Sequence, residues 1–129
     1  MLEDSLTSRL LADATVSSLV GTNIYPVVLP ETMPDSPLIT YRKISDVTGY
    51  TLSGQAIIYK ARIEYNAWSS TYSDAKAVAA AIQASLEGFA GTLGDVFICF
   101  IACAGVNTDG LDEDSRLYRV QQDFLISHA

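Results

Sequence analysis

Ile57-Ile58-Tyr59-Lys60-Ala61-Arg62-Ile63-Glu64-Tyr65-Asn66-Ala67-Trp68 is the stretch whose reading decides the fold. Ile57, Tyr59, Ala61, Ile63, Tyr65 and Ala67 recur at every second position, and Lys60, Arg62, Glu64 and Asn66 fill positions between them. Successive side chains of a strand point to opposite faces, so this spacing predicts a strand with one face on a core. The other face meets water or a neighbouring molecule. Upstream, residues 38–47 are also β-rich, and residues 46–55, with Gly49 and Gly54, join the two strands as an antiparallel hairpin. That connection is too long for a two-residue turn and is expected to project from the sheet, presenting Tyr50 and Leu52.

Further towards the N-terminus, Pro26, Pro30, Pro34 and Pro37 punctuate residues 24–37. Each removes an amide donor, so the segment predicts a short edge strand followed by an extended loop. Leu2, Leu6 and Leu10, then Val16, Leu19 and Val20, recur at helical spacing before Gly21 ends the pattern. Asp13 is placed to cap a second turn, and the spacing leaves open whether the helix is continuous or broken there.

Downstream of the decisive strand, Thr71 and Asp74 have a capping-box-like spacing that opens a helix. Its inward stripe is Tyr72, Ala75, Val78 or Ala79, Ile82 and Leu86, and Gly88 stops it. The alanines of residues 75–84 let that helix lie close to a sheet. Residues 97–104 show no polar alternation, which predicts a central strand buried on both faces. Residues 105–115 read as a polar loop carrying Asp109, Asp112, Glu113 and Asp114. In the last strand Tyr118, Val120, Phe124 and Ile126 alternate with Arg119, Gln121 and Asp123. The expected architecture is α+β, in the order α-β-β-β-α-β-β. It has a largely antiparallel sheet of four to five strands and two main helices on one face, forming a single domain over residues 1–129.

Composition narrows the function. Charged residues are 18% of the 129 and hydrophobic ones 49%, a low charged fraction for a small soluble monomer, which leaves apolar surface available for partners. The formal charge of -7 disfavours a non-specific grip on phosphate backbones. No apolar run is long enough to cross a bilayer, and the N-terminus lacks the basic start of a secretion signal, so a cytoplasmic site of synthesis and no membrane association are expected. Cys99 and Cys103 lie in one strand, where their Cα atoms would be roughly 13 Å apart, beyond disulfide reach. They are expected to be free, buried thiols.

The residues that could carry chemistry have simpler readings. The single histidine, His128, lies next to the C-terminus and reads as a solvated tail residue, not a general base. Asp112, Glu113 and Asp114 lack the spacing and glycine of a calcium loop and read as loop acids, although a small metal-dependent hydrolase built on residues 109–114 is the best enzymatic alternative. Gly88, Gly91 and Gly94 follow a helix and lead into a strand, the reverse of a phosphate-binding loop, and read as turn residues. Arg42, Lys43, Lys60, Arg62, Arg116 and Arg119 lie in or beside strands and are expected to pair with Glu64, Asp123 and neighbouring acids on the polar sheet face.

Taken in order, these features resemble a known family. Residues 2–11 as a helix, Val20-Gly21 leading to Ile24-Tyr25-Pro26, Leu29-Pro30, and Ser36-Pro37-Leu38-Ile39-Thr40-Tyr41 open the likeness. It continues through Leu52-Ser53-Gly54, Ala67-Trp68-Ser69, Thr71-Tyr72 with Ala75, Leu86-Glu87-Gly88-Phe89, Gly91-Thr92-Leu93-Gly94, Leu117-Tyr118-Arg119 and Asp123-Phe124. The chain resembles the tail-completion, or tail-terminator, proteins of long-tailed bacteriophages and prophages from Leu2 to Ile126, with residues 97–104 more apolar and cysteine-bearing than the family pattern.

The resemblance implies a structural virion protein with no catalytic residues, no cofactor and no metal. It implies a homo-oligomeric ring, typically hexameric, that seats on the tail tube protein, ends its polymerisation and meets the head-tail connector or stopper protein. DNA is only a passing cargo, and the location is the head-proximal end of the tail after assembly in the host cytoplasm. Ring closure needs two unlike patches per subunit. Tyr50 and Leu52 on one side, and Asp112, Glu113 and Asp114 on the other, are the candidates. A head-side connector or stopper subunit and a monomeric binding module are the alternatives.

Overall fold

A computed structural model describes residues 2–21, 23–26, 37–50, 56–93, 96–103, 108–112 and 117–128. The chain begins with α1 (Leu2–Ala12), whose Leu2, Leu6 and Leu10 are buried on one face. Glu3 and Asp4 in its first turn and Arg9 in its last complement the helix dipole. Asp13 resolves the question of continuity. Its backbone leaves the helix, and its carboxylate accepts the amides of Thr15 and Val16 at 2.9 and 3.2 Å, starting the separate helix α2 (Ala14–Val20). Gly21, with φ of +60°, then turns the chain out.

The expected hairpin is present as β2 (Leu38–Tyr50) and β3 (Ala56–Ser69), antiparallel throughout. The ladder reaches the pair Tyr50–Ala56, so residues 46–50 belong to a strand and not to a projecting turn. β1 (Ile24–Pro26) lies parallel to β2 against Ile39–Tyr41 and is the short edge strand the prolines imply. Beyond α3 (Tyr72–Leu86) come β4 (Gly91–Leu93), β5 (Val96–Cys103), β6 (Thr108–Asp112) and β7 (Leu117–His128). The sheet order is β1-β2-β3-β7-β5-β4, with β6 on the same edge of β7 as β5. The α+β class holds with a mostly antiparallel sheet, and the strands beyond the expected four to five are short.

Two expectations change at the far side of the sheet. β5 is not central, because β7 sits between it and β3 and only the three-residue β4 lies outside it. It is also not buried on both faces. A register shift between Ile98 and Phe100 rotates the strand, so Ile98 and Ile101 face the core while Phe97 and Phe100, both 51% exposed, face out. Residues 105–115 are not wholly loop, since β6 pairs from Thr108 to Asp112 with β7. The cysteines are free, as expected, but half-buried.

The three helices cover one face of the sheet, and α3 lies on β3 and β7. Ala75, Val78, Ala79, Ala81, Ile82, Ser85 and Leu86 are its buried side, whereas Tyr72, expected inward, is exposed at its first turn. Thr71 caps α3 without a side-chain hydrogen bond; its own amide donates to Ser69 Oγ at 3.3 Å instead. On the sheet side Ala61, Ile63, Tyr65 and Ala67 are all buried, as the alternation requires, and meet Val120, Phe124 and Ile126 of β7. Phe124 sits edge-on to Tyr65, their ring centres 5.9 Å apart.

Tyr65 is fully enclosed, and its hydroxyl has no hydrogen-bond partner among the described residues. Burial, with the nearby Tyr41 and Glu3 adding to it, pushes the phenol well above its ordinary pKa. An unfilled buried hydroxyl costs about 1–3 kcal/mol, so Tyr65→Phe is expected to leave stability unchanged or raise it by about 1 kcal/mol. Because the folded state retains the phenolic proton while the unfolded chain loses it near pH ~10, the same change should flatten the fall in stability above that pH. Urea unfolding of both proteins at pH 7 and 10.5 checks both points.

Candidate functional site

The sheet face opposite the helices is the candidate site, because no described element covers it. The ladder pairs put Val47, Lys60, Ser127 and Phe100 in one row across that face, and Ser45, Arg62, Leu125 and Ala102 in the next. Arg42, Glu64 and Asp123 follow, then Thr40, Asn66 and Gln121, and finally Leu38, Trp68, Arg119 and Gly110. One end is therefore apolar, with Val47, Ile58, Phe97, Phe100 and Leu125 all exposed. The middle is ionic. The far end is aromatic and basic.

The ionic middle is paired within the subunit, with Asn66 Oδ1 and Asp123 Oδ1 left buried without a partner among the described residues. Arg42 Nη2 donates to Glu64 Oε2 at 2.7 Å, and Asn66 Nδ2 to Glu64 Oε1 at 3.2 Å, which lets an acid only 5% exposed remain on an otherwise open face. Arg62 grips Asp123 Oδ2 through Nε at 3.0 Å and Nη2 at 2.7 Å. The expected cross-strand pairing is thus present for Arg42 and Arg62 and ties three adjacent strands, whereas Lys60 and Arg119 make no ion pair among the described residues and Arg116 lies outside them. Trp68 is held in place by its indole N–H, which donates to the buried Thr40 hydroxyl at 2.9 Å. Around it, Gly110, Leu111 and Arg119 line a recess of 390 Å³.

A second charged group ties the helical layer to the sheet edge. Lys43 Nζ lies 3.1 Å from both Glu3 of α1 and Asp46, which share its face because a bulge follows Lys43. Burial acts to raise the Glu3 carboxyl, but its backbone hydrogen bond and Lys43 outweigh this and hold it below the ordinary carboxylate range. Burial likewise acts to lower Lys43, and the two acids outweigh it and raise the amine.

His128 is not a solvated tail. It pairs in register with Tyr59 and Ile98 and stacks on the Tyr59 ring at 5.4 Å, and burial lowers its pKa. Both the depressed carboxyl and the depressed imidazole stabilise the fold above their unfolded pKa values, ~4.3 and ~6.5. Stability is therefore expected to fall as acid is added, first below pH ~6.5 and again below ~4.3. Glu3→Gln should flatten only the second fall, which denaturant midpoints between pH 3 and 8 would show.

Of the residues singled out in the sequence, Tyr50 and Asp112 close β2 and β6, and their side chains lie outside the described residues. Leu52, Glu113 and Asp114 lie wholly outside them, as does Gly94. Gly88, with φ of +78°, lies in the turn after α3, whereas Gly91, with φ of +145°, is not a turn residue but opens strand β4 opposite Ile98. The structure also assembles surfaces that the sequence does not mark: the exposed Phe97, Phe100 and Leu125 at one end of the face, and the half-buried Trp68 and Arg119 at the other. For Phe97 and Phe100 the only sequence signal is an apolar run too uniform to reveal its outward half. Among the described residues no His, Cys, Asp and Glu group could hold a metal ion, and no helix is long and apolar enough to cross a membrane.

This open-faced α+β unit has relatives. It is similar over 98% of its length to a chain in the "Virion of native gene transfer agent (GTA) particle", covering 93% of that chain with a TM-score of 0.81 and 20% identity, a likeness of fold. No curated sequence matches it. The family model described as "Tail completion protein gp17" matches residues 4–129, nearly the whole chain that carried the resemblance noted above. The chain belongs to the tail completion protein gp17 family.

Proposed function

We propose that the protein is a structural, non-enzymatic component of a phage-like virion. In this reading residues 1–129 act as one tail-terminator unit, and copies close into a ring, hexameric by analogy with the family resemblance. The ring caps the tail tube, ends its polymerisation and offers the joining surface for the head connector. Membership of the tail-completion family and a fold shared with a virion chain support the virion role.

The observation that carries the ring is a sheet face that no described element covers, with two unlike ends, and two edges open among the described residues. β2 has no strand on its outer side beyond Tyr41, nor has β6, among the described residues. Unpaired strand edges are templates for another chain, and two different edges on one subunit provide the heterologous contact that a closed ring requires. Exposed apolar groups at one end of the face add area that water disfavours.

Native mass spectrometry of the purified protein, alone and with tail tubes, tests this. A discrete multiple of 13.9 kDa that co-purifies with tubes is expected. Co-purification with filled heads and not with tubes would favour a head-side stopper subunit. A monomer in every preparation would remove the ring.

A further inference from the structure

The recess around Trp68 is walled by residues of three strands, β3, β6 and β7, and its chemistry is distinctive. The indole cannot turn, because its N–H is spent on Thr40, a residue buried within the sheet. Arg119 stands beside it with its guanidinium carbon 5.8 Å from the ring centre, and makes no ion pair among the described residues. Opposite Arg119 in the edge strand β6 is Gly110, so that position places no side chain over the guanidinium. A Cβ placed there would lie 3.9 Å from Nη2, so the Arg119 side chain leans over the neighbouring strand β6. Leu111, 47% exposed, completes the wall.

A planar cation beside an aromatic wall, at the rim of a strand whose outer edge is unpaired among the described residues, is suited to a carboxylate. The fork binds both oxygens while the indole and leucine cover the apolar stem. Trp and Arg are also the residue types that dominate binding energy at interface centres. We infer that this recess receives a carboxylate side chain from a second copy of the chain, docked along β6. Charge favours that occupant, since each copy carries 15 acidic against 8 basic residues. Asp4 and Asp74 are exposed acids that no contact among the described residues engages. Contacts between copies of charge -7 need such cationic receptors to offset repulsion. The inference rests on the ring reading and adds the residue that recognises the neighbour.

Trp68 is the only tryptophan, so its emission reports this recess alone. Sedimentation velocity and 295 nm-excited fluorescence would be followed across protein concentration, with and without tail tubes, for wild type, Arg119→Gln and Arg119→Lys. Wild type should shift its emission as it assembles. Arg119→Gln should assemble at least tenfold more weakly with an unshifted emission, and Arg119→Lys should fall between. Circular dichroism must match for all three, and Gly110→Val, which places a side chain over the guanidinium, gives an independent route to the same loss. If wild type assembles and both Arg119→Gln and Gly110→Val assemble equally well, the recess inference is overturned while the ring stands. If wild type never assembles, on tubes or off, the ring reading falls first and takes this inference with it.

Discussion

Phe100→Glu combined with Leu125→Glu is expected to abolish subunit association while leaving the monomer folded. Both side chains are about half exposed, at 51% and 45%, so the fold should change by no more than about 0.5 kcal/mol for each. In an assembled contact the situation reverses. Each carboxylate would have to shed its water against Phe97, Val47 or their counterparts on a neighbour; of the cations beside them, Arg62 is already held by Asp123, and Lys60 can serve only one of the two. An unpaired charge buried in this way costs several kcal/mol, and about 3 kcal/mol already corresponds to more than a hundredfold in association. Native mass spectra should show monomer only, with an unaltered urea midpoint. A folded double variant that still assembles would mean the apolar end of the sheet faces solvent in the virion.

Phe124→Ala is expected to have the opposite signature, destroying the fold and only thereby the assembly. Phe124 is fully buried between β3 and the helical layer and supports Tyr65 edge-on. Removing its ring loses the transfer free energy of the apolar atoms and leaves a cavity that the rigid β3–β7 ladder cannot close, a cost of about 3–5 kcal/mol. A domain of this size has only about 5–15 kcal/mol to lose. The melting temperature should fall by more than about 10 °C, or the variant should fail to accumulate. A fall of under ~2 °C would show that the core does not close on this residue.

Much of this architecture can be read from residue spacing, and the reasons are local. The alternation of residues 58–68 survives in the structure because a strand with one buried face has no freedom to slip by a single residue. Asp13 and Gly21 act through their own backbone geometry, and so are visible without tertiary information. β5 could not be read this way. Whether Phe97 and Phe100 point inward depends on a bulge at Cys99 and on which strand lies beside it, and neither is written in the order of apolar residues. The same holds for β6, a strand of Thr108, Asp109, Gly110, Leu111 and Asp112 whose composition suggests a loop and whose pairing comes from β7.

The candidate surface was legible only in outline. A low charged fraction points to partners, and the alternation of β3 marks its polar face and Glu64 and Asp123 as acids for the strand cations, while which cation meets which acid, Arg42 with Glu64 and Arg62 with Asp123, comes only from the structure. Trp68 and Arg119 come together only through register, because they are 51 positions apart and are cross-strand partners in the β3–β7 ladder. His128 shows the complementary error. Its place next to the chain end suggested fraying, while the ladder and the Tyr59 ring hold it.

The terminating ring is tested most directly by electron microscopy of particles assembled with and without this protein. Without it, tails should lack a uniform end, varying in length or overrunning the normal length, and should not join heads. Tails of normal, uniform length joined to heads in its absence would contradict the terminating role.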